Sequence, residues 1–441
     1  MTALTPAGLH ADVVSLFSPA HPPVRPGTVG AELELLPAGP EGPDGRPAVL
    51  PLQAEGTPGR SLVGFLEEYA EATERIAADW DDYGSPRFRT SRDGAIGFEP
   101  GGQLEFSTEP RATPAETLGD LVGVLGGLRG AASRAGIHLL SRGMNPWHAA
   151  DEVGLQLPTP RYRLMDRYFG EVDAGGRPMM RLTASLQVNL DFGSPRQAKR
   201  RWRAANLLSP VCTAAFANSP RLLPDGTLAR SGRAVAWERT DPTRTGLVID
   251  EAPEGIEAPW ERYLAFAMRA GVMTRLGEDG VPHPPGGRFR FGEWCAGAAS
   301  PPPRAEEWRV HLTTLFPEVR PRGWLEVRSI DTPRPEWWGV PLVLLPALLY
   351  DDEALSELLS VLEPVAPGRT ELARRAARLG LEDEELGGLA EAAFGIALRA
   401  ARRFPPGYFA AEMVAATAEF ADRYVGARLT QADEAAPARA P

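Results

Sequence analysis

Four short stretches of this chain alternate polar and apolar side chains, and nearly all of their polar positions are carboxylates or amides. In GAELEL the polar pair is Glu32 and Glu34. In GGQLEFS it is Gln103 and Glu105, with Glu99 across a Pro-Gly-Gly turn. SLQVNLDF supplies Gln187, Asn189 and Asp191, and WLEVRS supplies Glu326 and Arg328. Residues two apart on a strand point to the same face. Each stretch is therefore read as a strand with Leu, Val or Phe packed on one side and oxygen-rich groups on the other, with Arg328 the one cation among them.

Such alternation is also the ordinary pattern of an antiparallel sheet with one solvated face. A solvated face mixes signs, however, because like charges opposed across strands destabilise. Carboxylates gathered without cations require a metal ion, and hard oxygen ligands favour Mg²⁺. Carboxylate-bound Mg²⁺ takes its remaining ligands from water and substrate phosphates, and Arg328 would assist a transferring phosphoryl group. These parts fit a nucleotide-dependent ligase or kinase.

Composition removes several alternatives. The net charge of −11 argues against a nucleic-acid partner. Of 47 basic residues only Lys199 is lysine, and it lies in AKRRWR with no glycine-rich turn before it, so a P-loop is excluded. Cys212 and Cys295 make no disulfide framework. VPLVLLPALLY, the longest apolar run, is too short to span a bilayer, and the N-terminus lacks a signal-peptide pattern. A cytoplasmic protein with small-molecule substrates is expected, as a monomer or homodimer, with no nucleic-acid or membrane partner.

The strands are separated by helical patterns, which predicts an α+β fold with a largely antiparallel sheet and helices packed outside. Residues 1–25 read as a lead-in helix and 26–345 as the catalytic domain. Within it, 37–60 is Pro- and Gly-rich and reads as an exposed insertion. SLVGFLEEYAEATERIAADW is helical in spacing, and MMRLTASLQVNLDF reads as one strand. Residues 346–427 form a helical region packed on the same domain, and 428–441 read as a disordered tail.

EPGGQLEFS, MMRLTASLQVNLDF, LSPVCTAAFANSP, WERTDPTRTG and WRVHLTTLFPEVRPRGWLEVRSID occur in this order, with PTPRYRLMDRY between the blocks. Together they resemble the glutamate–cysteine ligases of the plant and proteobacterial type and the related actinobacterial enzymes of ergothioneine biosynthesis. The resemblance implies a curved sheet funnel akin to the catalytic domain of glutamine synthetase, with ATP and Mg²⁺ on its inner face. It implies that the glutamate γ-carboxylate attacks the ATP γ-phosphate, and that an amine then displaces phosphate from γ-glutamyl phosphate. By motif, Glu32, Glu34, Glu99, Glu105 and Glu326 are expected metal ligands, and Gln187 and Asn189 nucleotide contacts. Arg328, Glu326 and Glu105 are the expected catalytic groups. Arg244, Trp237, Arg181, Arg161 and Tyr162 are the expected substrate contacts.

The chain departs from the plant-type pattern in reading MMRLT for MMLRT, which on a strand turns Arg181 to the opposite face. YLAFAMRAGVM replaces an Asp-x-Pro stretch near the acceptor pocket. Glutamate–cysteine ligation is the leading expectation. A γ-glutamyl ligase with another amine acceptor, and a non-catalytic nucleotide- or metal-binding relative, are the alternatives.

Overall fold

The structure, a computed structural model, describes residues 4–19, 25–42, 45–53, 61–81, 84–249 and 258–435. Its centre is a nine-stranded sheet. The strands are β1 (Val29–Ala38), β2 (Ile76–Trp80), β3 (Pro86–Thr90), β4 (Ala95–Phe98), β5 (Leu104–Ser107), β6 (His138–Leu140), β7 (Leu186–Leu190), β8 (Val319–Pro321) and β9 (Leu325–Val327). Their order is β8-β9-β7-β1-β5-β4-β3-β2, with β6 beside the far end of β1. Every ladder in this sheet is antiparallel. The expected α+β architecture is thus observed.

Alternation decides which face is which. On β1, Val29, Ala31, Leu33 and Leu35 are fully buried, and Leu104, Phe106, Leu186, Val188, Leu325 and Val327 continue the same apolar face. Register then brings the polar positions side by side: Glu34 opposes Glu105, Glu32 opposes Gln187, and Glu326 opposes Asn189.

The helices needed here are α1 (Pro6–Leu16), α2 (Leu62–Thr73), α3 (Pro114–Arg134), α4 (Pro160–Val172), α5 (Gly176–Leu182), α6 (Pro195–Ala215), α7 (Gly232–Glu238), α8 (Pro259–Arg269), α9 (Ala305–Thr313) and α10 (Gly339–Tyr350). Four of them begin with a Ser or Thr cap followed by proline: Thr5, Thr113, Thr159 and Ser194 each accept a backbone N–H of the first turn. The hydroxyl satisfies an orphan donor, and proline at the first helical position lacks a donor that would otherwise go unpaired. α3, α6 and α10 pack on the apolar side of the sheet. α10 is apolar all round and buried along its whole length, as such a helix must be. It spans residue 346, so the C-terminal helices continue the core without a break.

Four sequence expectations change. IAADW leaves the helical pattern and forms edge strand β2, because α2 ends at Glu74 in a left-handed conformation. Residues 179–182 belong to α5, so Arg181 sits on a helix and not on the strand that starts at Leu186. Within the 37–60 segment, Ala38 ends β1, and Leu50 and Leu52 are buried; residues 43–44 and 54–60 lie outside the described residues. Residues 428–435 are packed rather than loose: Gln431 is fully buried and its Oε1 accepts from the Arg334 N–H at 2.8 Å. Residues 436–441 lie outside the described residues.

Candidate active site

The polar face of β1, β5 and β7 floors a cavity of about 690 Å³. Its walls come from α4, α5 and α7, from α1, α8 and α9, and from the β8–β9 hairpin.

Glu34, Glu99 and Glu105 converge on the floor. Each offers a carboxylate oxygen within 4.8 Å of the others. Glu34 is held by its neighbours: Oε2 accepts the Ser185 N–H at 2.6 Å, and Oε1 accepts from the Gln187 amide at 3.2 Å. Glu105 accepts from the Ser107 hydroxyl at 3.1 Å. Glu99 is placed by the tight turn that follows it. Gly102 there has a φ of +82°, and a Cβ on Gly101 would lie 2.2 Å from the Arg181 carbonyl oxygen, so glycine is required at both positions. Gln103 then locks the turn, accepting from the Gly101 N–H and donating to the Thr183 carbonyl, each at 2.9 Å.

The triad is short of positive charge. Burial, and then the Glu99 charge, pushes the Glu34 carboxyl up to about 7. Burial also raises Glu99, and burial with the charges of Glu32, Glu99 and Glu34 raises Glu105 well above the carboxylate range. An octahedral Mg²⁺ with ligands near 2.1 Å places its oxygens about 2.9 Å (cis) or 4.2 Å (trans) apart. The triad spacing fits such an ion after small side-chain adjustment, and its hard oxygen donors suit the same metal. Glu32 stands one step along β1, raised by burial and by Glu326, and accepts from the Asn189 amide at 3.1 Å.

Glu326 differs. It is fully buried and lies in an arginine cage: Arg320 forks onto both oxygens, Arg328 approaches at 3.2 Å and Arg322 at 3.4 Å. Burial alone would raise its pKa, but Arg320 and Arg328 override that and hold it at about 2. Here its oxygens serve the arginines, not a metal position beside the triad. Arg328 also donates to the Gln187 carbonyl oxygen at 2.8 Å, and its guanidinium lies 5.7 Å from the Trp237 ring centre. Glu326 thus fixes the cations that face the floor.

Other expected residues divide. Arg161, Tyr162, Gln187, Trp237 and Arg328 line the cavity. Asn189 reaches it only through Glu32. Arg244 is fully buried elsewhere, and its donors are all committed: Nε to Asp241 at 3.0 Å, Nη1 to the Thr314 carbonyl at 2.8 Å, and Nη2 to the Tyr168 hydroxyl and the Gly271 carbonyl. No donor is left for a substrate carboxylate. Arg181 is likewise turned away, paired with Asp166 and, at 3.3 Å, with Asp151. Helical geometry, not sheet facing, sends it there. His311 is a core residue kept neutral by burial, its pKa lowered to about 3, with Nε2 bonded to the Ala267 carbonyl.

Four cavity arginines were not expected from the sequence: Arg233, Arg320, Arg322 and, on α9, Arg309. Arg320 and Arg322 precede the WLEVRS strand on the facing arm and turn of the hairpin. Arg233 lies four residues before Trp237 on α7, a spacing that puts both on one helix face, and its guanidinium is 6.0 Å from the Trp237 ring centre. That i,i+4 relation to Trp237 was the available signal.

A hard-cation triad beside clustered arginines is the composition of an enzyme site for anionic substrates. The glutamate-cysteine ligase family 2 (GCS2) model matches residues 28–433. Glutamate–cysteine ligase EgtA of Mycolicibacterium smegmatis is 35% identical over 297 residues, covering 66% of this chain and 67% of that protein. EgtA of Mycobacterium tuberculosis is 33% identical over 324 residues, 70% of each chain. The chloroplastic glutamate–cysteine ligase of Arabidopsis thaliana is 33% identical over 296 residues, 64% of this chain and 53% of that protein. A solved complex of the ubiquitin-like protein Pup with its ligase PafA matches 91% of this chain and 64% of that one at a TM-score of 0.42 and 11% identity, too remote to bear on the assignment. This chain belongs to the glutamate-cysteine ligase family and is an enzyme of the ligase class. No helix among the described residues is long and apolar enough to cross a membrane.

Proposed function

We propose that the protein joins L-glutamate to L-cysteine through the γ-carboxylate, with ATP cleaved to ADP and phosphate. The observation that carries this reading is the pairing, in one cavity, of an unneutralised carboxylate triad with the Arg320–Arg328 cluster. Glu34, Glu99 and Glu105 would hold Mg²⁺, and that ion would neutralise polyphosphate charge so that an anionic carboxylate can approach phosphorus. Arg328 faces the same floor and stabilises charge on the transferring phosphoryl oxygens. Arg233, beside Trp237, supplies the substrate-carboxylate contact expected of Arg244.

The glutamate γ-carboxylate oxygen attacks the γ-phosphorus, ADP leaves, and the resulting acyl phosphate is an electrophile that the free carboxylate is not. The cysteine amine attacks the acyl carbon, phosphate departs, and the amine loses its proton. Beside Trp237 the wall includes Met165, Met179, Met180 and Phe316, a soft apolar surface suited to a thiol side chain.

Purified protein with ATP, Mg²⁺, glutamate and cysteine should release ADP and γ-glutamylcysteine in equal amounts. Hydroxylamine in place of cysteine should trap γ-glutamyl hydroxamate. ADP release that needs neither amino acid defeats the reading, and an acceptor panel in which another amine outruns cysteine replaces the acceptor alone.

A further inference from the structure

The cavity is also lined by residues of α1, α9 and the hairpin turn that the chemistry above does not use. Arg320, Arg322 and the more exposed Arg309 line it together with Leu16, Leu312, Pro321 and Trp324. Cations side by side with apolar and aromatic surface match a polyphosphate ending in a planar base. A nucleoside also carries ribose hydroxyls, which are donors and need an acceptor. Apart from Glu32, Glu34, Glu99 and Glu105 on the sheet floor, Asp12 on α1 is the one carboxylate among the described lining residues.

Asp12 is available. Its side chain is 32% exposed, and its nearest cation, Arg309 Nε, is 3.7 Å away, beyond hydrogen-bond length. Among the described residues nothing donates to its carboxylate. It is also held in register with the arginines. The Leu16 carbonyl at the end of α1 accepts from the Gly323 N–H at 2.7 Å, and Gly323 is the turn of the hairpin that carries Arg320 and Arg322. Phe17 anchors the same end of α1, its ring 4.9 Å from Trp202 and 6.0 Å from Tyr263 between centroids.

We propose that α1 is the nucleoside-side wall of the active site and that the Asp12 carboxylate accepts the ribose hydroxyls of the bound nucleotide. This assignment rests on the ATP-dependent reading and adds a specificity determinant to it.

Calorimetric titration of the full chain with Mg²⁺ and either ATP or 2′,3′-dideoxyATP, without amino acids, tests it. The wild type should bind ATP about ten-fold more tightly than the dideoxy analogue. Asp12→Ala should shrink that ratio to within two-fold, mainly by weakening ATP. Arg309→Ala, which removes the ion pair but keeps the acceptor, should preserve the wild-type ratio. Equal affinity of the wild type for both nucleotides overturns the proposal. So does an Asp12→Ala protein that keeps the ratio, or that weakens both nucleotides alike, since a purely structural latch would act that way. Nucleotide discrimination through Asp12 without glutamate-dependent ADP release sinks the ligase reading and leaves this assignment standing. Absence of nucleotide binding in the wild type sinks both.

Discussion

Glu326 and the Glu34–Glu99–Glu105 triad occupy the same face of one sheet, yet they live in opposite electrostatic settings. Three arginines surround Glu326 and hold it ionised down to about pH 2. The triad has carboxylates for near neighbours, and Glu34 rises to about 7. Burial pushes all four carboxyls the same way, so neighbours decide the outcome. One end of the face is therefore already neutralised by the protein and presents its cations to anions. The other waits for a cation from outside. The side-chain type is the same in both, and Glu34, Glu105 and Glu326 all lie on strands; the charge placed opposite is not the same.

Substitutions at either end of this face test the contrast. The largest effect is expected for Glu34→Ala or Glu105→Ala, which should lower turnover by about two to three orders of magnitude while the protein stays folded. Steady-state rates with circular dichroism check this, and near-normal rates would remove the residue from the site. Glu326→Ala should instead destabilise the fold, by about 3 kcal/mol, because it leaves buried arginines without their counter-ion. Denaturant unfolding of Glu326→Ala beside Glu34→Gln sharpens the contrast, since the Gln variant relieves repulsion and should match or exceed wild-type stability in metal-free buffer. Arg328→Lys comes next, with a loss of about 10²-fold in turnover, because a point charge cannot contact Glu326, Gln187 and a phosphoryl group at once.

The smallest effect is a pH dependence. A carboxyl raised from 4.5 to about 7 in the folded state lends stability that is complete below pH 4.5 and lost as pH rises through 7. Glu326, lowered to about 2, acts in the opposite sense and loses its contribution only as pH falls through 2. Between pH 5 and 8 the metal-free protein should therefore drop a few degrees in Tm, and Mg²⁺ should restore more at pH 8 than at pH 5. A Tm that rises over that range would show that the triad is not short of positive charge.

Much of the site was readable because period-two alternation is a local property. Glu32, Glu34, Glu105, Gln187 and Glu326 share a face for the reason their spacing states, and register only had to align them. Arg244 and Arg181 were misplaced because an arginine's partner is set by what lies across the fold. Asp241 and the Gly271 carbonyl claim one, Asp166 the other. Arg233 and Arg320 were overlooked for the same reason.

Local pattern was enough for the four strands of the polar face and the carboxylate chemistry gathered there, since side-chain direction along a strand follows from backbone geometry alone. Which carboxylates keep their charge unanswered and which meet arginine depends on the fold as a whole. Electrostatic neutralisation depends on distances of a few ångströms between residues far apart in the chain, such as Glu34 and Glu99 or Gln187 and Arg328. No local pattern encodes those distances.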